Sequence, residues 1–213
     1  MSDGRPVSPD ELVRARELFS MELKSEGRPI ESIPVAVQVE RIRKLLGAQY
    51  AGLPDQVVQD YAEGGLKEHP PTMNPEAVAL VRNLNSLGFP VIVITDTSRS
   101  GLAWKSFLGV EGGLHVGHVI ASTDVGVCKP DVRIFIEAAR RAGVATSEML
   151  HVGDSWMWDV VGARACGVGA ALYRGLWAQA WDPDKLREGA GPKDSSVPCI
   201  DHLSEVAALL GFE

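Results

Sequence analysis

The stretch Leu150-His151-Val152-Gly153-Asp154 ends an apolar run with a Gly-Asp pair, and a second carboxylate, Asp159, follows it. Carboxylate oxygens are hard ligands. Mg²⁺ takes one or two protein carboxylates together with waters and substrate phosphate. Two acids at the tip of a buried strand therefore suit that ion. They also suit a helix start, with Asp154 or Ser155 capping free backbone N–H groups and Asp159 solvated. On this segment alone the two readings stand level. Two further segments carry groups of a matching type. Thr95-Asp96-Thr97 closes a β-branched run and offers a hydroxyl. Lys129-Pro130-Asp131 opens a helix and offers an ammonium, preceded by Ser122-Thr123-Asp124-Val125-Gly126. A hydroxyl, a cation and an acidic pair are the groups that would surround a bound anion.

The elements that must position these residues are legible in outline. Ser8-Pro9-Asp10-Glu11 is a capping box with proline at the first helical position. Leu12, Ala15, Phe19 and Leu23 follow at helical spacing. Ser32-Ile33-Pro34 starts a second helix, striped by Val35, Val39, Ile42 and Leu46 and stopped at Gly47. A short third helix is expected from Pro54 to Ala62, and His69 to Pro75 reads as a linker. A helix over Glu76 to Leu87 then leads to Pro90-Val91-Ile92-Val93-Ile94-Thr95, a run suited to a strand buried on both faces of a parallel sheet. Further strands are expected at His118–Ser122, Met149–Val152, Ala170–Leu172 and Val197–Ile200, with helices at Leu102–Leu108, Val132–Ala142 and Trp158–Ala165. Residues 181–198 read as a surface loop. This alternation predicts an α/β fold with a doubly wound parallel sheet. Ligands then sit beyond the carboxyl ends of the strands, where Thr95 and Asp154 fall.

Composition narrows the function. The chain of 213 residues is 45% hydrophobic and 23% charged, which suits a globular protein. A net charge of −7 argues against general affinity for nucleic acid or an anionic membrane. Cys128, Cys166 and Cys199 fit neither a disulfide framework nor a zinc cluster, and point to a reducing cytosol. No apolar run has transmembrane length and no signal peptide opens the chain, so a cytoplasmic location is expected.

The ordered set Thr95-Asp96-Thr97, Lys129-Pro130-Asp131 and Gly153-Asp154 with Asp159 resembles the second, third and fourth motifs of the haloacid-dehalogenase-like (HAD) superfamily. The resemblance runs from about Met73 to Leu172. It implies a HAD-like Rossmannoid core at 71–213, a small helical cap at 8–70, and a remnant of the first core motif at 1–7. It implies that Thr95 and Asp96 contact a phosphoryl group. Lys129 would balance the charge there. Asp154 would bind Mg²⁺, and Asp159 would hold a metal-bound water or orient Lys129. The Gly-Asp pair resembles the Mg²⁺-dependent phosphatase branch rather than the metal-independent dehalogenases. The implied reaction forms and hydrolyses an aspartyl-phosphate on a small phosphorylated metabolite. A cap between the first two motifs would close over the site and select substrate.

The first motif departs from the family pattern of a buried strand ending in Asp-x-Asp-Gly-Thr. Asp3-Gly4 aligns with its second aspartate and glycine, which makes Asp3 a candidate general acid and base, but Met1 then falls on the nucleophile. A surface Asp-Gly turn is the competing reading. The expectation is a nucleophile upstream of Met1, lost by truncation. The alternatives are an inert HAD-like binding protein and a metal-independent haloacid dehalogenase. A receiver domain fits less well, because it keeps its acidic pocket near the chain start. Such a protein is expected as a monomer or homodimer. Three other features carry weaker readings. Arg99 could reach a substrate anion or stay solvated, Trp156 and Trp158 could line the pocket mouth or pack on the cap, and His151 reads as a packed strand histidine.

Overall fold

The computed structural model describes residues 7–47, 50, 71–110, 112–175 and 194–212. The helix expected at Pro54–Ala62, most of the loop expected at 181–198, and Asp3 lie outside them. Two compact units divide the chain: one takes Met1–Pro71, Thr95–Phe107 and Ala121–Cys128, the other Thr72–Ile94, Leu108–Ile120 and Lys129–Glu213. The first unit thus adds two segments of the motif-bearing part to the helical one.

In the first unit, α1 (Pro9–Ser25) begins at the capping box, where the Ser8 hydroxyl accepts from Glu11 N and Ser8 N donates to the Glu11 carboxylate. α2 (Val35–Leu46) follows a short 3₁₀ turn and ends at Gly47, whose φ of +98° few other residues adopt. The two helices pack together through Leu12, Phe19, Leu23, Val39 and Ile42. Each such buried side chain contributes about 1.5–3 kcal/mol relative to leaving it in water. One buried residue on α2 is not apolar. The Gln38 amide donates to Ile33 O at 2.7 Å and to Thr123 Oγ1 at 3.2 Å, which satisfies it.

From residue 71 onward the elements alternate between the two units, beginning with α3 (Pro75–Ser86) of the second, capped by Asn74 through Glu76 N. β1 (Ile92–Thr95) starts two residues later than the apolar run, because Pro90 has no N–H for a ladder. α4 (Gly101–Val110) precedes β2 (His118–Ala121), which lies beside β1. Ser122, expected to end that strand, instead opens the one-turn helix α5 (Ser122–Val125). Its hydroxyl donates to Glu31 O and accepts from Thr97 N, so the side chain is committed away from a ladder. α6 (Val132–Ala142) is capped by Asp131 and leads to β3 (Leu150–Gly153). A π-helical turn over Trp156–Val161, the short α7 (Gly162–Ala165) and β4 (Gly169–Tyr173) follow. β5 (Cys199–Ile200) and α8 (Val206–Leu209) complete the described elements. β5 is shorter than expected because Pro198 cannot donate to a ladder, although its carbonyl accepts from Leu172 N.

The architecture is α/β, with β3–β4 and β4–β5 pairing in parallel. The sheet comes in two pieces, β1–β2 and β3–β4–β5. Among the described residues no ladder joins them, so β1 and β3 each have an edge. Consistently, both strands are half-buried throughout rather than buried on both faces as their apolar runs predict. No described helix is long and apolar enough to cross a membrane.

Candidate active site

The site grows from the alternation of β3. Residues 151 and 153 point to the same side of a strand. On that side His151 presents its ring and Gly153 presents nothing. A Cβ at Gly153 would lie 2.6 Å from Asp159 Oδ2, closer than carbon and oxygen tolerate. The glycine is therefore required by the carboxylate that rests on it. The turn that returns Asp159 to that position is the π-helix. Ser155 O accepts from both Asp159 N and Val160 N, the second being the wide bond that opens the turn. An α-helix was expected here. The extra residue in the turn lets Asp159 fold back so that Ser155 N donates to its Oδ2 at 3.0 Å.

Lys129 reaches the same carboxylate from the residue before Pro130. Its Nζ donates to Asp159 Oδ1 at 2.6 Å, and His151 Nε2 donates to the same oxygen at 2.9 Å. Gly162 makes this approach feasible, since a Cβ there would lie 2.7 Å from both Pro130 O and the Phe135 ring. Phe135 in turn packs edge-on to His151, with centroids 5.1 Å apart. His151 is thus packed, as its sequence position suggests, and also hydrogen-bonded to the site. That second role was missed. The signal for it is the spacing His-x-Gly at a strand end, which reserves a space beside the ring.

Burial governs the electrostatics. The Asp159 side chain is 3% exposed and Lys129 14%. Desolvation alone would raise the Asp159 pKa. The hydrogen bond from His151 and the charge and hydrogen bond of Lys129 outweigh it and hold the carboxyl well below the usual range. Asp159 is a buried anion fixing a buried cation. It is not the solvated acid that a simple helix start would leave there. Its oxygens already take three donors, from Lys129, His151 and Ser155 N.

Asp154 is the opposite. It is exposed at the carboxyl end of β3, and among the described residues its carboxylate has no hydrogen-bond or ion-pair partner. The helix cap falls to Ser155, whose hydroxyl accepts from Trp158 N. Asp154 therefore keeps hard, open oxygens of the kind Mg²⁺ accepts. No group of three His, Cys, Asp or Glu side chains that could hold a metal occurs among the described residues, and an ion that keeps most of its waters needs none. Thr95 ends β1, and Thr95 and Asp96 belong to the first unit. The loop they open is tied down by Thr97, which accepts from Trp104 Nε1 at 3.0 Å and from Arg99 N at 3.2 Å. Trp158 is exposed and Trp156 half-buried.

Known proteins resemble this chain in sequence and in fold. The model of a family described as haloacid dehalogenase-like hydrolase matches residues 11–167. Haloacid dehalogenase-like hydrolase domain-containing protein 3 of Homo sapiens is 35% identical over 162 residues, 72% of this chain and 61% of that protein. A glyceraldehyde 3-phosphate phosphatase of Methanopyrus kandleri is 37% identical over 99 residues, 44% of this chain and 40% of that protein. The chain thus spans less than two thirds of these relatives. Among solved structures, a 2-haloacid dehalogenase of Pseudomonas syringae superposes with a TM-score of 0.58 at 24% identity, covering 97% of this chain and 82% of the other, which speaks to the fold. With the matched region spanning every element that holds Lys129, Asp154 and Asp159, the chain belongs to the haloacid dehalogenase-like hydrolases.

Proposed function

We propose that this protein is a Mg²⁺-dependent phosphohydrolase of the family, acting on a small phosphorylated metabolite. The observation that carries the reading is the pairing of a fixed cation with an open carboxylate. Lys129 is held by Asp159, whose carboxylate His151 also bonds, while Asp154 at the end of β3 has no partner among the described residues. A glyceraldehyde 3-phosphate phosphatase among its relatives supports the same chemistry.

In this reading an aspartate oxygen bonds to phosphorus as the ester P–O bond breaks, and the alcohol leaves with a proton. Water then replaces the aspartate at phosphorus, releasing inorganic phosphate and restoring the carboxylate. None of the described residues is assigned as the attacking carboxylate, and Asp3, the candidate proton donor and acceptor, lies outside them. Lys129 neutralises charge on the phosphoryl oxygens. Asp159 holds the ammonium in place, so no reorganisation is needed as charge builds. Thr95 and Asp96 contact the phosphoryl group through hydroxyl and backbone. Asp154 would hold Mg²⁺, which when bound supplies further positive charge to the phosphoryl oxygens. Three free thiols suit a reducing cytoplasm.

The test is phosphate release from p-nitrophenyl phosphate with and without Mg²⁺, in this chain and in the longer protein if its gene extends upstream. Turnover should require Mg²⁺ and fall at least about a hundredfold in Asp154→Asn. Halide release from a 2-halo acid without metal would replace this reading with a dehalogenase. Absence of any turnover in the longer protein would replace it with a binding protein.

A further inference from the structure

The first unit contains a charged group that the reaction above does not use. Arg16 on α1 donates through Nη2 to Ser98 Oγ at 2.9 Å, and Ser98 is buried. Arg99 is the next residue. Its backbone is fixed by the bond to Thr97, but its Nε–H is buried and has no hydrogen-bond partner among the described residues. Burial and then the positive charge of Arg16 depress the Arg99 pKa, so the two guanidinium groups lie close enough to repel. Neither makes an ion pair among the described residues. Buried donors are almost always satisfied, and an orphan in a native fold calls for a partner that the described residues do not supply. Here the missing partner must accept hydrogen bonds and carry negative charge, because it must also relieve the repulsion. Guanidinium forks match the paired oxygens of carboxylates and phosphates.

We infer that Arg16 and Arg99 form a binding site for an oxyanion, the carboxylate or phosphate of a small ligand. Two sources share this chemistry: a second anionic group on the substrate, which would rest on the phosphohydrolase reading, and a free oxyanion, which would not. Arg99 would donate its orphan Nε–H, and Arg16 would lend charge while Ser98 keeps it oriented.

The primary test needs no turnover. The melting temperature of the full chain is followed in EDTA against sodium phosphate and sodium malonate, with sodium chloride at matched ionic strength as the control. Either oxyanion should raise it, and the half-saturating concentration should rise at least tenfold in Arg99→Met and in Arg16→Met. Arg99→Lys, which keeps the charge and loses the fork, should weaken binding less than Arg99→Met. Asp154→Asn should bind as the wild type does. An oxyanion effect equal to that of chloride would overturn the site. So would one abolished by Lys129→Met but retained in Arg99→Met. A second arm separates the sources through kcat/KM for a carboxylate-bearing phosphomonoester relative to p-nitrophenyl phosphate. If that ratio falls at least tenfold in Arg99→Met, the ligand is the substrate's own second anion. If binding is lost and the ratio is unmoved, it is a free oxyanion. Failure of all turnover rejects the reaction and leaves the melting result standing.

Discussion

The molecule handles buried positive charge in two ways. In the second unit the Lys129 ammonium meets Asp159 at 2.6 Å, and the same carboxylate takes His151 and a backbone N–H. In the first unit, among the described residues, Arg16 meets only a hydroxyl and Arg99 leaves a buried N–H without a partner. The difference separates two jobs. A cation that is fully paired inside the fold is held in a fixed place, ready to act on a ligand without moving. A cation left underpaired costs stability in the free protein and recovers it when an anion arrives. The first arrangement is preorganisation, and the second is reserved for an occupant.

The largest predicted effect tests the paired side. Asp159→Ala strands Lys129 and His151 in the interior, and should lower stability by about 3–5 kcal/mol in urea unfolding. The acid response of the wild type has a definite sign. The folded pKa of Asp159 lies below its unfolded value of about 3.9, so its contribution is complete above that value and is lost as pH falls below it. The stability gap between wild type and Asp159→Asn should therefore narrow steadily as pH falls below about 4. A gap unchanged down to pH 2 would mean the ion pair does not stabilise the fold.

Gly153→Ala comes next. The added methyl must displace the Asp159 carboxyl, at about 1–3 kcal/mol of strain. Because Lys129 would follow, Mg²⁺-dependent turnover should fall about a hundredfold, as small misplacements of a catalytic group do. Full activity in this variant would show that Lys129 does not depend on Asp159 for its position.

Arg99→Met probes the underpaired side and should have the opposite sign. In buffer free of oxyanions it removes an orphan donor and a like-charge contact, so stability should hold or rise by about 1 kcal/mol. A loss of several kcal/mol would show that Arg99 is satisfied within the fold after all. The smallest effect is expected at the surface of α6. Hydrogen bonds from Arg140 and Arg141 lower the Glu137 carboxyl to about 2. Arg140 is mostly exposed and water screens the pair, so Glu137→Gln should cost less than about 0.5 kcal/mol.

What could be read without coordinates was whatever depends on chain neighbours. The α1 cap joins residues three apart, the stripes of α1 and α2 repeat within a turn or two, and Asp131 caps α6 through Arg133 N. The order of Thr95, Lys129 and Asp154 on strand ends and helix starts also follows from local pattern, and with it the family. The sheet was less legible. Apolar runs mark strands but not their ladders, and the division into β1–β2 and β3–β4–β5 depends on which strands find partners.

The amino-acid order by itself determined that this chain is an α/β protein with a Gly-Asp pair at a strand end and a lysine at a helix start, because hydrophobic period, caps and turn residues act over a few positions. Only the tertiary structure decided that Asp159 takes Lys129 and His151 while, among the described residues, Asp154 stays open and Arg16 and Arg99 have too few acceptors. The Lys129–Asp159 and Arg16–Ser98 bonds join residues 30 and 82 positions apart. Whether a buried charge finds a partner is settled by packing, which local composition does not encode.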